Sequence, residues 1–104
     1  MSPRPDRVGI VVLNYRGVAD TLACVESLSG LDVDARVIVV DNGSGDGSAQ
    51  QLADVSGIEL IVNDTNLGFA AGNNVAIERL LAAGVEYVWV LNNATRVSLL
   101  STHT

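Results

Sequence analysis

Residues 36–48, RVIVVDNGSGDGS, change from an apolar run to a polar, glycine-rich loop at Asp41. The run of β-branched residues does not alternate with polar ones, which is typical of a strand buried on both faces. After the loop, Ser48 and Gln51 have the spacing of a capping box at the start of a helix. A buried strand, a polar loop and a helix in that order predict one unit of a parallel α/β sheet.

The same unit repeats on both sides of this segment. Further apolar runs predict strands at residues 8–13, 58–62 and 86–91, and helical spacing follows at 18–30, 48–57 and 75–83. Strands separated by helices imply right-handed crossovers, so the predicted fold is a three-layer α/β domain with a mainly parallel four-stranded sheet. The domain is predicted at residues 8–95, between an N-terminal tail (1–7) and a C-terminal tail (96–104).

The composition excludes several classes of protein. The 104 residues contain one cysteine, one histidine and no lysine, and the formal net charge is −6. A single cysteine rules out a disulfide scaffold and a zinc cluster built on several cysteines, and a lone His103 in the tail argues against a Ser/His/Asp triad. The net negative charge argues against a nucleic-acid-binding protein, which usually carries a cluster of basic residues. No apolar stretch approaches the roughly 20 residues that cross a bilayer.

Polar segments follow all four predicted strands. They read NYRG (14–17), DNGSGDGS (41–48), NDTNLGFAAGNN (63–74) and NNAT (92–95). Parallel sheets bind ligands beyond the carboxyl ends of their strands, so four asparagine- and glycine-rich segments favour a binding site at that edge. Any one segment alone is equally well explained as an ordinary polar loop. The chain lacks G-x-G-x-x-G after its first strand and G-x-x-x-x-G-K-[ST] anywhere, which disfavours dinucleotide binding and excludes a P-loop.

The four segments in this order resemble the N-terminal half of a family 2 glycosyltransferase of the GT-A fold. The segments are IVVLNYR, VIVVDNGSGDGS, NLGFAAGNN and VWVLNNAT, and the match covers about residues 8–95. The asparagine-rich form of these motifs resembles the rhamnosyltransferase-like branch of the family in particular. The resemblance implies a domain that holds a nucleoside-diphosphate sugar, and a parent activity that transfers the sugar to a glycan or a lipid-linked acceptor.

The resemblance also implies which positions hold the nucleotide sugar. It places a tyrosine after the first strand near the nucleobase and an acidic pair after the second strand, whose second member contacts the base. It further places an N-L-G-F-x-x-G-N-N segment beside the diphosphate and a metal-binding D-x-D triplet after the fourth strand. The corresponding residues in this chain are Asn14, Tyr15, Asp41, Asn42, Gly68, Asn73, Asn74, Asn92 and Asn93.

Several of these residues have purely structural alternatives. Tyr15 offers a flat face and a hydroxyl to a base, or is a tyrosine at the edge of the core. Asp41 and Asn42 can hydrogen-bond a base or a ribose, or make a turn and cap a helix. In the alternative for Asn73, its side chain makes a hydrogen bond to a buried backbone group instead of a ligand. Trp89, in an apolar strand, is predicted to be a core residue rather than a platform for a sugar.

The chain departs from the family pattern at the metal site. The family expects an aspartate where this chain has Ala94, and a methyl group cannot ligate Mg²⁺ or Mn²⁺. Beyond Glu86 the chain contains no carboxylate that could serve as a general base. We therefore assign no catalytic residue and no metal ligand, and we expect the isolated chain to bind nucleotide without transferring sugar.

Three other interpretations stay open: a non-catalytic scaffold, a transferase completed by a separate polypeptide, and a piece of a longer protein. The expected ligand is a sugar nucleotide of the UDP or dTDP type. The expected partner is a second copy of the chain that pairs with an exposed strand at 86–91. The polar residues 1–7 lack a signal sequence, so we expect a cytoplasmic protein, or one bound peripherally to the inner face of a membrane.

Overall fold

The computed structural model describes residues 7–30 and 35–94. Four strands, β1 (Val8–Asn14), β2 (Ala35–Asn42), β3 (Glu59–Asn63) and β4 (Tyr87–Leu91), alternate with three helices, α1 (Val18–Leu28), α2 (Ser48–Ala53) and α3 (Phe69–Ala82). The strands form one parallel sheet in the order β3-β2-β1-β4. This confirms the predicted α/β fold. The predicted tails and Thr95 lie outside the described residues, apart from Arg7.

The two faces of the sheet carry separate cores. Helices α1 and α2 cover one face, where Cys24, Val25, Leu28 and Leu52 pack on the sheet, and α3 covers the other face with Ala76 and Leu80. Strands β1 and β2 lie at the centre and send alternate residues to the two faces. Both faces are therefore apolar, which explains the unbroken runs in the sequence. Fully buried residues of these strands are Ile10, Val11, Val12, Ile38, Val39 and Val40.

The central strands extend further than the sequence predicts. The predicted strands end at residues 13 and 40, whereas β1 continues to Asn14 and β2 to Asn42. Asn14 pairs in register with Asp41, and Asn42 pairs with Asn63 of β3. Polar side chains thus occupy strand positions at the carboxyl edge of the sheet, where the backbone rather than a loop fixes their direction.

Helix α3 begins at Phe69, six residues before the predicted start. Asn73 and Asn74 are therefore helical and do not lie in a loop. Glycine and asparagine are weak helix formers, which is why the sequence pattern places the start too late. Contacts from another strand override this preference, because the Asn42 amide holds the Gly68 carbonyl at 3.2 Å and that carbonyl accepts the Gly72 amide at 2.9 Å.

The predicted capping box at the start of α2 is wrong. The N-cap is Gly47, which has φ of 88° and no side chain to offer. The hydroxyl of Ser48 instead donates to Asp46 Oδ1 at 2.5 Å, and the Ser48 backbone amide donates to the same oxygen at 3.0 Å. A carboxylate two residues upstream thus takes the role that the pattern assigned to Ser48 and Gln51.

Strand β4 is an edge strand, the last one in the strand order, and it pairs with β1. The prediction that Trp89 is a core residue is wrong, since its side chain is 48% exposed. Its register partner is Ile10, on the face that α1 and α2 cover, but among the described elements these helices leave Trp89 open. Tyr87 and Val90 on the same strand are also exposed. No described helix has the length and apolar character needed to cross a bilayer.

Candidate functional site

The four polar segments meet at the carboxyl edge of the sheet, because all four strands run in parallel. Within this edge, consecutive strand residues point to opposite faces. Asp41 follows Val40 and joins the α1 face with Asn14, whereas Asn42 joins the α3 face with Asn63. The structure therefore separates Asp41 from Asn42 and builds two distinct polar networks.

The first network is centred on Asn14, whose side chain is completely buried. Its Nδ2 donates to Asp41 Oδ1 at 3.0 Å and to Ser44 Oγ at 3.3 Å, and its Oδ1 accepts the Thr21 hydroxyl at 2.7 Å. Ser44 Oγ also donates to Asp41 Oδ1 at 2.5 Å. Buried polar groups of this kind stabilise a structure only when they are paired. The network therefore fixes β1, β2 and the first turn of α1 against one another.

Asn93 connects the end of β4 to the same network. Its Nδ2 lies 3.3 Å from Thr21 Oγ1 and 3.4 Å from the Gly17 carbonyl. The Oδ1 atom of Asn92 accepts a hydrogen bond from the backbone amide of Ala94 at 2.8 Å. The segment after β4 is thus in direct contact with the loop after β1.

The second network is centred on Asn42, which is 1% exposed. Its Nδ2 donates to Asn66 Oδ1 at 3.0 Å and to the Gly68 carbonyl, while its Oδ1 accepts Asn63 Nδ2 at 3.1 Å and the Leu67 amide at 3.2 Å. Both donors and both acceptor positions are used. In this structure the side chain organises the β3–α3 loop, and its predicted contact with a base stays a prediction.

Gly43 brings the loops after β2 and β3 into contact. Its φ is 74°, and a Cβ atom at this position would overlap the carbonyl carbon of Thr65 and the backbone nitrogen of Asn66. Backbone atoms cannot move aside as a flexible side chain can. The position therefore requires glycine for both conformation and space.

Asn73 and Asn74 differ sharply in their surroundings, although they are neighbours in α3. Asn74 is exposed, whereas Asn73 is 3% exposed and lies on the buried side of the helix. Neither Nδ2 nor Oδ1 of Asn73 has a hydrogen-bond partner among the described residues. The structural alternative for Asn73, a bond to a buried backbone group, is therefore not what the structure contains.

Tyr15 and Arg16 form the exposed part of the edge. Tyr15 is 41% exposed, and the guanidinium carbon of Arg16 lies 5.2 Å from the centre of its ring. Arg16 has φ of 53°, a left-handed backbone that residues with a Cβ rarely adopt. Its amide donates to Ser44 Oγ at 2.9 Å and its Nε to the Ser44 carbonyl at 3.1 Å. The sequence prediction missed Arg16, although NYRG places a cation directly after the aromatic residue.

The chain matches the model of glycosyl transferase family 2 over residues 8–93. It belongs to that family. Among solved structures it is similar to a mannosyltransferase of Pyrobaculum calidifontis that was solved in complex with GDP-mannose and Mn²⁺, with a TM-score of 0.77 and 21% sequence identity. The alignment covers 98% of this chain and 32% of that one, so the chain spans about a third of the length of the mannosyltransferase. No curated protein sequence matches the chain. The predicted family is thereby confirmed.

The family 2 chain has an open cleft of about 330 Å³ at the carboxyl edge, between the loops after β2 and β3. Of the predicted site residues it includes Asp41 alone, and it adds carboxylate and amide groups that the sequence prediction missed. Its lining residues are Asp41, Gly43, Gly45, Gly47, Ala49, Gln50, Val62, Asn63 and Asp64. Carboxylates and backbone groups of this kind can hydrogen-bond hydroxyl and N–H groups of a ligand.

The glycine-rich loop that borders this cleft carries Asp46, an exposed carboxylate with a lowered pKa. The Ser48 hydroxyl and then the Ser48 backbone amide, which both donate to Asp46, lower the pKa of that carboxyl group, and the charge of Arg16 adds to the effect. Asp46 therefore stays ionised to a lower pH than an isolated aspartate. The loop that borders the cleft carries a permanent negative charge near neutral pH.

The residues of the family 2 metal position do not fit a divalent cation. Ala94 has no ligand atom, Asn92 Oδ1 is bonded to the Ala94 amide, and Asn93 Nδ2 faces Gly17 and Thr21. Within residues 7–30 and 35–94, no three His, Cys, Asp or Glu side chains form a group that could hold a metal ion. Neutral amide oxygens alone are poor ligands for Mg²⁺ or Mn²⁺.

Proposed function

We propose that this chain binds a nucleoside-diphosphate sugar at the carboxyl edge of its sheet. The observation that carries the proposal is the convergence of four polar segments on one edge in a chain of glycosyl transferase family 2. The similar mannosyltransferase was solved with GDP-mannose and Mn²⁺, which supports the same class of ligand. The parent activity we propose is transfer of the sugar to a glycan or a lipid-linked acceptor.

We divide the edge between the parts of the nucleotide as the sequence predicts. Tyr15 stacks on the base with its exposed ring, and Asp41 and Asn42 lie beside the base and ribose. The diphosphate lies against Gly68 and the start of α3, because the first amide groups of a helix are unpaired and carry partial positive charge. The remaining positions that we assign to the binding site are Asn14, Asn73, Asn74, Asn92 and Asn93.

The buried Asn73 amide supports this placement. An unpaired polar group inside a protein is costly, and a partner that arrives with a ligand would remove the cost. Asn42 and Asn14 act differently, because their side chains already have protein partners. We infer that they shape the site by holding the loops rather than by yielding their bonds to the nucleotide.

Two finer assignments are also proposals. The asparagine-rich spelling of the segments favours the rhamnosyltransferase-like branch, and with it a UDP- or dTDP-linked sugar. We assign no general base among the described residues, and the Asp41 carboxylate is buried and paired with Asn14 and Ser44. The purified chain should then show no sugar transfer from any nucleotide sugar, and measurable transfer would refute this assignment.

We further propose that the domain unit is residues 8–95 and that β4 pairs with a second copy of the chain. Exposed Tyr87, Trp89 and Val90 on an edge strand are the kind of surface that associates with another strand. The protein should act in the cytoplasm or on the inner face of a membrane. A purely monomeric mass by light scattering at high protein concentration would contradict the homo-oligomer.

Calorimetric titration with UDP, dTDP and GDP tests the proposed ligand class. The chain contains two tyrosines, and each lies under an arginine. Tyr15 lies at the carboxyl edge, and Tyr87, which is 55% exposed, lies at the opposite edge. Tyr15→Ala should weaken binding by roughly tenfold or more, as loss of base stacking does, and Tyr87→Ala should leave it unchanged.

A non-catalytic scaffold is the alternative, and Ala94 together with the fully bonded Asn42 favours it. It predicts no binding of any of the three nucleotides at millimolar concentration. Binding that both tyrosine variants weaken equally would place the ligand elsewhere on the domain.

A further inference from the structure

The charges of the domain are sorted between the two edges of the sheet. Arg7 precedes β1 and pairs with Glu86 at 2.9 Å. Arg36, near the start of β2, and Arg79, in the last turn of α3, both pair with Glu59 at the start of β3. All of these groups lie at the amino edge, which is the end of the sheet where the parallel strands begin. Among the described residues, Arg16 is the one arginine at the carboxyl edge.

Arg16 also differs in how it is held. It has no ion pair with a described carboxylate, and its backbone amide and Nε both donate hydrogen bonds to Ser44. Ser44 is buried and bonded to Asp41, so the anchor itself is rigid. The two terminal nitrogens of the guanidinium group have no protein acceptor among the described residues. They form a planar fork that suits the oxygens of a phosphate group.

The loop that carries Arg16 touches the position where the family holds its metal ion. Gly17, the next residue, accepts a hydrogen bond from Asn93, the neighbour of Ala94. The triplet itself offers no ligand set for a divalent cation. A cation fixed on the loop that contacts this triplet can offset the negative charge of a diphosphate in place of the metal.

We propose that Arg16 binds a phosphate group of the nucleotide and makes binding independent of a divalent metal. The inference rests on the proposed function, because it requires a nucleotide at the carboxyl edge. The left-handed backbone of Arg16 and its two bonds to Ser44 keep the guanidinium group over Tyr15. Arg16 is thus a ligand-binding residue that follows the base-stacking tyrosine in sequence.

Titration with uridine, UMP and UDP separates this role from stacking on the base. In Arg16→Gln the affinity for UDP should fall about tenfold or more, which is the range for a lost charge-assisted bond, while the affinity for uridine stays within about twofold. Arg7→Gln, which removes the matching arginine over Tyr87, is the control and should change neither. In the wild-type chain, EDTA should leave the affinity for UDP unchanged. The thymidine and guanosine series are run in the same way.

Each outcome decides one of two claims. If Arg16→Gln binds UDP as well as the wild-type chain, or loses uridine and UDP equally, the phosphate role of Arg16 is overturned and the proposed function stands. If UDP binding requires Mg²⁺ or Mn²⁺, the metal-independent part is overturned. A wild-type chain that binds none of the nucleotides overturns the proposed function and this inference together. Arg16→Lys, which keeps the charge and loses the fork, should bind UDP with intermediate affinity and replaces Arg16→Gln if the latter does not fold.

Discussion

The amino edge and the carboxyl edge of this sheet differ in the interactions that hold the strand ends. At the amino edge, partly exposed ion pairs such as Arg36–Glu59 join the strand starts. At the carboxyl edge, the buried amides of Asn14 and Asn42 and the carboxylate of Asp41 are hydrogen-bonded, and the backbone adopts left-handed conformations at Gly43 and Arg16. Exposed ion pairs contribute little to stability, whereas buried polar networks are costly unless complete. The two buried networks at the carboxyl edge support the proposal that this edge holds the ligand.

The loop contact at Gly43 gives the largest expected difference between the edges. Gly43→Ala should lower the free energy of unfolding by about 3 kcal/mol or more, because the new methyl group overlaps backbone atoms of the β3–α3 loop. Gly84→Ala, before β4 at the amino edge, is the control. Its φ is 93° and no atom lies within 4 Å of the added Cβ, so only the left-handed penalty of about 1–2 kcal/mol remains. Equal losses in urea unfolding would show that the two loops do not pack as described.

The Asn14 network gives the next largest effect. Asn14→Ala removes one hydrogen-bond partner from the buried Asp41 carboxylate and one from the Thr21 hydroxyl, and we expect a loss of about 2–3 kcal/mol. Glu59→Gln, which breaks the ion pairs of the amino edge, should cost less than about 1 kcal/mol. Chemical denaturation of both variants measures the ratio. A Glu59 variant as unstable as the Asn14 variant would remove the distinction between the edges.

The unpaired Asn73 predicts a gain in stability rather than a loss. Asn73→Leu should raise the free energy of unfolding by about 1 kcal/mol, since a branched apolar side chain replaces a buried amide without partners. Asn74→Leu on the exposed side of α3 controls for the better helix propensity of leucine. If the amide is retained for a ligand, the Asn73 variant should also bind nucleotide more weakly. Destabilisation in thermal melts would mean that the amide already has a partner.

The smallest effect concerns acid conditions. The bonds from Ser48 lower the pKa of Asp46 in the folded chain below its ordinary value of about 3.9, so the carboxylate stabilises the fold above that pH. This contribution is lost as the pH falls through the lowered pKa. Asp46→Asn should therefore flatten the decline of the melting temperature below about pH 4, relative to the wild-type chain. Ser48→Ala should flatten it in the same direction, and an unchanged slope in both variants would contradict the assignment.

Sequence pattern was sufficient for the parallel sheet and for the edge that carries the polar groups. The apolar runs at 8–13 and 36–40 and the glycine-ended helical stretches determine a parallel sheet, and a parallel sheet brings all four segments to one edge. The side on which each group acts was not predictable from the pattern. Asp41 and Asn42 are adjacent in sequence. Because β2 continues to Asn42, their side chains point to opposite faces of the sheet and join different networks.

Partners distant in sequence account for what the pattern missed. Ser44 and Thr21 hydrogen-bond Asn14 at sequence separations of 30 and 7 residues, respectively. No local motif predicts these contacts. Helix α3 starts early because Asn42, on another strand, holds Gly68. Arg16 stands out only when the other described arginines are seen to be paired with acids at the far edge. Local propensity carries none of this information.

Amide chemical shifts during a titration with UDP, dTDP or GDP test the central claim most directly. With ¹⁵N-labelled chain, we expect ligand-dependent shifts at residues 14–17, 41–47, 66–74 and 92–94, and unchanged positions for Arg7, Arg36, Glu59, Arg79 and Glu86. Shifts that cluster at the amino edge, or no shifts at millimolar nucleotide, would contradict the account.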